Sequence, residues 1–158
     1  MTDAPVTLTM APAGDVIVLD LWAGMLPALD PAIRVLPVEP RRWWLVDAAP
    51  HADAIAATIA ANGALTPIGG GLVRATLSGP GWRDLLTVSG CFDSEHPGFA
   101  TGQVAATVIH HVPVWIAVTG DATGEVYMAA SYAPTLAALW TTAIGARPSP
   151  SLPRPGSA

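Results

Sequence analysis

The chain has 158 residues, the length of a single domain. Hydrophobic residues make up 51% and charged residues only 12%, whereas an average domain has roughly 25% charged residues, and the mean hydropathy is +0.45. A net charge of −5 with seven basic residues argues against a nucleic-acid-binding protein, and a single cysteine permits no internal disulfide, which is typical of the cytoplasm.

The high apolar content has two competing explanations, a membrane protein or a subunit with a large apolar contact surface. A membrane-spanning helix needs about 20 consecutive apolar residues. The best candidates are residues 52–65, which polar residues interrupt, and residues 134–146, which are too few. The start of the chain has no basic residue before an apolar run, so no signal peptide is expected. We therefore expect a cytoplasmic protein that contacts a partner.

Hydrophobic spacing and turn residues predict the elements of the first half of the chain. In chain order these are a flexible N-terminus over residues 1–13, a strand over Asp15–Trp22, a proline-rich irregular stretch from Pro27 to Pro40, a strand over Arg42–Asp47 and a helix over Ala49–Asn62. The small residues of this helix favour close packing on a sheet.

The central stretch, Leu72–Asp93, reads as a strand, a tight turn, a short helix and an exit loop. Ser78 and Gly79 can cap the helix, and Pro80 suits its first turn. Trp82 begins an apolar face with the three-and-four spacing of a helix.

The second half of the chain is predicted to be richer in hairpins. Its elements are a strand over Gln103–His110, a strand over Val112–Thr119, a turn over Gly120–Gly124, a strand over Glu125–Ala130, a helix over Tyr132–Ile144 and a proline-rich disordered tail over residues 147–158. We thus expect one α+β domain over residues 14–146, with helices on one face of a mainly antiparallel, ferredoxin-like sheet.

No catalytic, cofactor or metal site is predicted from the residue types. Cys91 follows a helix and is interpreted as a structural thiol. The four histidines lack the spacing of usual metal ligands, and adjacent His110 and His111 should point to opposite faces of a strand. The triglycine Gly69–Gly71 could cradle a phosphate, but it lacks the Lys-Ser/Thr of a P-loop, so a plain turn is the stronger interpretation.

Six tryptophans are unusual in a chain of this size and predict an interface. Adjacent tryptophans in a strand face opposite ways, so one of them should leave the core. Few charges are present, so charged residues of the central helix are candidates for orienting a partner. The candidate interface residues are Trp43, Trp44, Arg83, Asp84, Pro113 and Trp115. Proline cannot donate a ladder hydrogen bond, which favours an edge strand for Pro113.

The central motif resembles the sarcosine oxidase gamma subunit family, whose members are related to the folate-binding aminomethyltransferase fold of the glycine cleavage T-protein. The resemblance rests on Ser78–Leu86 and Gly90–Asp93, and extends weakly to Arg41–Val46 upstream and to Phe99 and Gly102 downstream, over residues 37 to about 145. One departure is the turn before the central strand, where the family commonly has an Asp-Ser type of sequence and this chain has Pro67–Gly71.

The resemblance implies a non-catalytic gamma-type subunit of a heterotetrameric enzyme that oxidatively demethylates sarcosine or a related N-methyl amine. It implies that FAD, FMN, NAD and tetrahydrofolate are held by the larger flavoprotein subunits, that this chain holds no cofactor, and that it buttresses those subunits. The chain alone is expected to form a homodimer through its apolar surface.

Two other functions are compatible with the sequence. The first is a stand-alone folate or small-molecule binding module with an aminomethyltransferase-like fold, whose site would be a tryptophan-lined cavity near the triglycine turn. The second is a homo-oligomer with no ligand.

Overall fold

Nine strands and three helices are formed by the part of the chain that the computed structural model describes, residues 5–90 and 92–146. The strands are, in chain order, β1 (Thr7–Pro12), β2 (Val16–Leu21), β3 (Arg34–Glu39), β4 (Arg42–Val46), β5 (Gly63–Pro67), β6 (Leu72–Ser78), β7 (Val104–Ile109), β8 (Val112–Gly120) and β9 (Thr123–Ala129). The helices are α1 (Ala52–Ile59), α2 (Trp82–Ser89) and α3 (Ala133–Gly145).

The strands form two sheets, and every strand pair is antiparallel. One sheet has five strands in the order β1-β6-β9-β8-β7, and the other has four in the order β3-β4-β2-β5. The two sheets pack face to face. Helices α2 and α3 cover the outer face of the five-stranded sheet, and α1 covers the outer face of the four-stranded sheet.

The largest core lies between the five-stranded sheet and helices α2 and α3. Alternate residues of each strand point into it, as the two-residue period of a strand requires. Its members include Ala75, Leu77, Trp82, Leu85, Leu86, Val114, Ile116, Val118, Val126, Met128, Leu136 and Trp140. The apolar face predicted for the strand from Val112 to Val118 is confirmed, because its three valines and its isoleucine are all buried.

Glycine permits two close approaches on which this core depends. A Cβ at Gly124 would lie 2.2 Å from the ring of Trp82, so only glycine leaves room for this tryptophan. A Cβ at Gly79 would lie 2.2 Å from the carbonyl oxygen of Pro5, and its φ is +113°. The two glycines thus let α2 pack against the start of β9 and let the turn after β6 approach the segment before β1.

The α+β class, the antiparallel pairing and the helices of the prediction are confirmed. The prediction of a single sheet is wrong, because the strands divide between two sheets that share an inner core. The irregular stretch between the prolines contains β3, which pairs with β4 and shifts register between Pro37 and Glu39. The segment predicted to be flexible contributes β1, which pairs with β6 over its whole length. The sequence interpretation left out β5.

Cys91 and the tail over residues 147–158 lie outside the described residues, so their predictions remain predictions. Among the helices of the described part of the chain, none is long and apolar enough to cross a membrane.

Candidate functional site: a tryptophan-lined groove between the sheets

The inner faces of the two sheets meet at an aromatic cluster. Trp44 of β4 contacts Trp115 of β8, with ring centroids 4.6 Å apart and planes tilted by 48°. Trp44 also contacts Tyr127 of β9 in an edge-on arrangement at 5.9 Å. Trp44 and Tyr127 are buried, whereas Trp115 keeps part of its surface exposed.

A groove opens beside this cluster at one end of the sandwich. It is lined by Val18, Asp20, Val38, Glu39, Arg42, Trp44, Thr66, Ile68 and Trp115. Its rim carries charges, because Arg42 pairs with Asp20 at 2.6 Å and with Glu39 at 2.9 Å. The hydrogen bond to Asp20 and the charges of both carboxylates raise the pKa of Arg42. The floor is therefore aromatic and the rim charged, an arrangement that suits a flat organic molecule with a polar end.

The groove lies next to the triglycine turn. Ile68, which lines the groove, precedes the turn, and its N–H donates to the carbonyl oxygen of Val16. A Cβ at Gly69 would lie 1.8 Å from the carbonyl oxygen of Gly14, so this glycine allows two backbone segments to touch. The turn thus has a packing role in positioning one wall of the groove.

A second feature between the sheets is a hydrogen-bonded charged network, in which Glu125 and Tyr127 are buried and the arginines are about one-third exposed. Arg34 of β3 donates to Glu125 of β9 at 2.7 Å and to the hydroxyl of Tyr127 at 2.9 Å. The Tyr127 hydroxyl donates to the same carboxylate oxygen of Glu125 at 2.7 Å, and Arg74 of β6 lies 3.7 Å from the other oxygen. This network links three strands across both sheets.

Burial, hydrogen bonds and neighbouring charges shift the pKa values of Tyr127 and Arg34. Burial first, and then the hydrogen bond to Glu125, raise the pKa of Tyr127 from 10.0 to about 12. Burial alone lowers the pKa of Arg34, but its hydrogen bond to Glu125 and the neighbouring charges outweigh this and raise it. At neutral pH the tyrosine is neutral and the arginine charged, so the network is a fully partnered structural tie between the sheets.

The predicted interface residues do not form one surface. Trp43 and Trp44 face opposite sides of β4, as predicted, and Trp43 packs half-buried on the α1 side. The edge strand predicted for Pro113 is wrong, because β8 lies between β7 and β9. Pairing of β8 with β9 begins only at Trp115, so the proline lies beyond the paired segment on that side.

Arg83 and Asp84 lie on α2, away from the groove. The guanidinium of Arg83 donates to the carbonyl oxygens of Ser94 and Phe99, the latter at 2.9 Å, and stacks over the Trp82 ring at 4.6 Å. Arg83 therefore fastens the loop that follows α2 to the helix. These contacts give it a local structural role that sequence reasoning did not assign.

Sequence reasoning missed the charged residues between the sheets. The sequence offered one sign of this network, a single glutamate at position 125 in an otherwise apolar strand. Such a glutamate indicates a charged partner nearby, since a buried carboxylate requires one. Its partner Arg34 is 91 positions away, and no local pattern connects the two.

The histidines show no metal-binding arrangement. His110 and His111 form the two-residue turn between β7 and β8, both with positive φ, instead of lying on opposite faces of a strand. Within residues 5–90 and 92–146, no group of three or more His, Cys, Asp or Glu side chains could hold a metal ion.

Comparison with known proteins found similarity among solved structures. No protein-family profile matches the chain, and no curated protein matches it. Among solved structures, a chain of the heterotetrameric sarcosine oxidase from Corynebacterium sp. U-96, in complex with pyrrole 2-carboxylate, has a TM-score of 0.77 and 18% sequence identity. The match covers 94% of this chain and 88% of that chain. At this identity the similarity establishes a shared fold.

Proposed function

We propose that the chain is a non-catalytic, gamma-type subunit of a heterotetrameric sarcosine oxidase-like enzyme. Such an enzyme oxidatively demethylates sarcosine or a related N-methyl amine and is linked to tetrahydrofolate one-carbon metabolism. The observation that carries the proposal is the fold match to a chain of a heterotetrameric sarcosine oxidase over nearly the whole length of both chains. Because both coverages are high, the matched subunit is close to this chain in length. An aminomethyltransferase-like fold is part of the same proposal.

The roles of the central motif support a scaffold subunit. Trp82 fills the core beneath α2, and Arg83 fastens the following loop by hydrogen bonds to main-chain oxygens. Trp82 and Arg83, two of the residues on which the resemblance rests, thus hold the fold together. Under this proposal the flavins, NAD and tetrahydrofolate are bound by the larger subunits.

Partner contacts are proposed at two separate places, the exposed part of Trp43 on the α1 side of β4 and the exposed parts of Pro113 and Trp115 on β8. Trp44 contributes indirectly, because it is buried beneath Trp115. Arg83 is engaged with the loop after α2, so it would present that loop to a partner instead of contacting the partner through its own charge.

Affinity purification of the tagged chain from its source cells tests this function. We expect larger subunits that carry flavin to co-purify in a fixed ratio, and the purified assembly to oxidise sarcosine or another N-methyl amine. The chain expressed alone is the control and should show neither flavin absorption nor oxidation. A flavin spectrum in the chain alone, or co-purifying partners without flavin, would contradict the proposal.

The groove favours a second candidate function, a stand-alone module that binds folate or another small molecule. Its aromatic floor, charged rim and position beside the triglycine turn support this alternative. Titration with tetrahydrofolate should then quench tryptophan fluorescence. Quenching should be lost in Trp115→Phe and retained in Trp22→Phe, because Trp22 is 61% exposed and does not line the groove. Equal quenching in both variants, or none in the wild type, would count against it.

A further inference from the structure

The groove between the sheets has an aromatic floor beside a rim whose charges do not balance. Trp115 remains half-exposed where it forms the floor with Trp44. At the rim, the two acids Asp20 and Glu39 share one partner, Arg42, and these side chains keep 33%, 53% and 43% of their surface exposed. The other residues that line the groove are uncharged. The rim therefore has a net negative charge and attracts a further cation.

The last segment of the chain, residues 147–158, has the complementary charge. Its sequence is Arg-Pro-Ser-Pro-Ser-Leu-Pro-Arg-Pro-Gly-Ser-Ala. It carries two of the seven basic residues of the chain and none of the twelve acidic ones. A sequence with so few apolar residues cannot bury a core of its own, but it can become ordered when it binds a surface.

The prolines of this segment favour the polyproline II conformation, an extended left-handed helix with about three residues per turn. At that period Pro150 and Pro153 lie on the same edge, about 9 Å apart, and Arg154 follows directly. Segments with prolines at this spacing dock in aromatic-lined grooves, because their extended conformation is already formed before they bind. The segment thus offers two proline rings and a neighbouring cation to a groove that has aromatic rings and excess negative charge.

The segment follows α3, which is tied to the end of the sandwich where Trp115 lies. Trp140 of α3 donates its indole N–H to Ser89 at the end of α2 at 3.2 Å, and the next residue bridges Ile109 at the end of β7. The two-residue turn after β7 leads into β8, whose first half contains Trp115. In the polyproline II conformation residues 147–158 span up to about 37 Å, close to the diameter of a domain of this length, so the groove is within their reach.

We propose that, in the chain without partners, the C-terminal segment docks in the groove, with Pro150 and Pro153 on the aromatic floor and Arg154 at the rim. Arg42 and Trp44 are two residues apart on β4, which places the rim about 7 Å from the floor along the strand. A long arginine side chain next to the floor can span this distance. The inference does not rest on the proposed function, because it concerns the isolated chain.

Titration with a synthetic peptide of residues 147–158 tests the docking. The recipient is the full chain with Pro150→Ser and Pro153→Ser, whose own segment should no longer fill the groove. The NMR signal of the Trp115 indole N–H should shift as peptide is added, whereas that of Trp22, which is exposed and does not line the groove, should stay in place. The wild-type chain should bind the peptide about ten-fold more weakly, because its own segment competes.

Matched changes of charge test the contact between Arg154 and the rim. Arg154→Ser in the peptide, or Glu39→Gln in the recipient, should weaken binding about two- to five-fold, the effect of losing an exposed ion pair. Arg147→Ser in the peptide and Glu95→Gln in the recipient are the controls. They make the same changes of charge away from the proposed contact, since Glu95 does not line the groove, and should alter the affinity little.

A peptide of the same composition in scrambled order is the control for proline spacing and should leave the Trp115 signal unchanged. Circular dichroism establishes that each recipient is folded. An unshifted Trp115 signal, equal binding of the scrambled peptide, or equal affinities of the wild-type chain and the serine double variant would overturn the proposal.

Discussion

Single residues between the sheets have roles that their neighbours in sequence do not reveal. Trp43 and Trp44 were predictable as a pair facing opposite sides, because a strand alternates its side chains. Which of them enters the inter-sheet core depends on the second sheet, whose existence the local pattern does not encode. The same is true of Arg34 and Glu125, whose contact joins residues 91 positions apart.

Removing the carboxylate of Glu125 should destabilise the fold strongly. Glu125→Ala leaves Arg34 and the hydroxyl of the buried Tyr127 without their shared acceptor. Because the Arg34 side chain is 33% exposed and Glu125 is mostly buried, the loss should cost about 1–3 kcal/mol, between the values for surface and buried pairs. Glu39→Ala is the matched control, because its ion pair with Arg42 lies at the surface and its loss should change stability little. Urea unfolding measures both, and equal losses would contradict the structural role of the network.

Alkaline pH should weaken the folded state through Tyr127. Its pKa is raised from 10.0 to about 12, first by burial, so the folded chain holds the phenol proton more tightly than the unfolded chain does. Unfolding therefore releases a proton between about pH 10 and 12, and the free energy of unfolding falls as pH rises through this window. The stability difference between wild type and Tyr127→Phe should shrink from pH 10 to 12. Parallel pH profiles from urea unfolding would show that this tyrosine does not titrate as stated.

The elements show where local sequence patterns suffice. The strand that begins at Val112 and the helices could be predicted from the spacing of their own apolar residues, because each of these elements buries one face. β1 and β3 were missed because threonines, alanines and prolines give a weak local pattern, and both strands are stabilised by pairing with distant partners. The His110–His111 turn was missed because this hairpin type usually has Asn-Gly at its centre.

That turn carries backbone strain that glycine should relieve. His111 has a φ of +68°, which favours glycine over any residue with a Cβ. His111→Gly should therefore raise the free energy of unfolding by about 0.5–1 kcal/mol. His111→Val is the comparison and should lower it, because a β-branched side chain fits positive φ poorly. Thermal unfolding of the two variants decides the matter, and a destabilised glycine variant would show that the imidazole makes a compensating contact.

The molecule as a whole is a sandwich in which the inter-sheet core joins two separately covered sheets. Composition predicted a subunit with a large apolar contact surface, and the core between the two sheets accounts for part of the apolar content. The groove could be anticipated only as a tryptophan-lined cavity near the triglycine turn. Its charged rim depends on the pairing of β2, β3 and β4, which brings Asp20, Glu39 and Arg42 together.

The inter-sheet core should make the two sheets unfold as one unit, and Trp44 is the residue that tests this. It is buried at the centre of the aromatic cluster and contacts rings from the other sheet at 4.6 and 5.9 Å. Trp44→Ala should cost about 3–5 kcal/mol because it leaves a large cavity between the sheets. Trp22→Ala is the matched control and should cost far less, since that side chain is 61% exposed.

Urea unfolding followed by far-ultraviolet circular dichroism and by tryptophan fluorescence measures cooperativity directly. In the wild type the two transitions should coincide, because the shared core couples the sheets. In Trp44→Ala they should move to lower urea together, or separate if the sheets become independent. Separate transitions already in the wild type would mean that the aromatic cluster and the Arg34–Glu125 tie are too weak to couple the two halves of the sandwich.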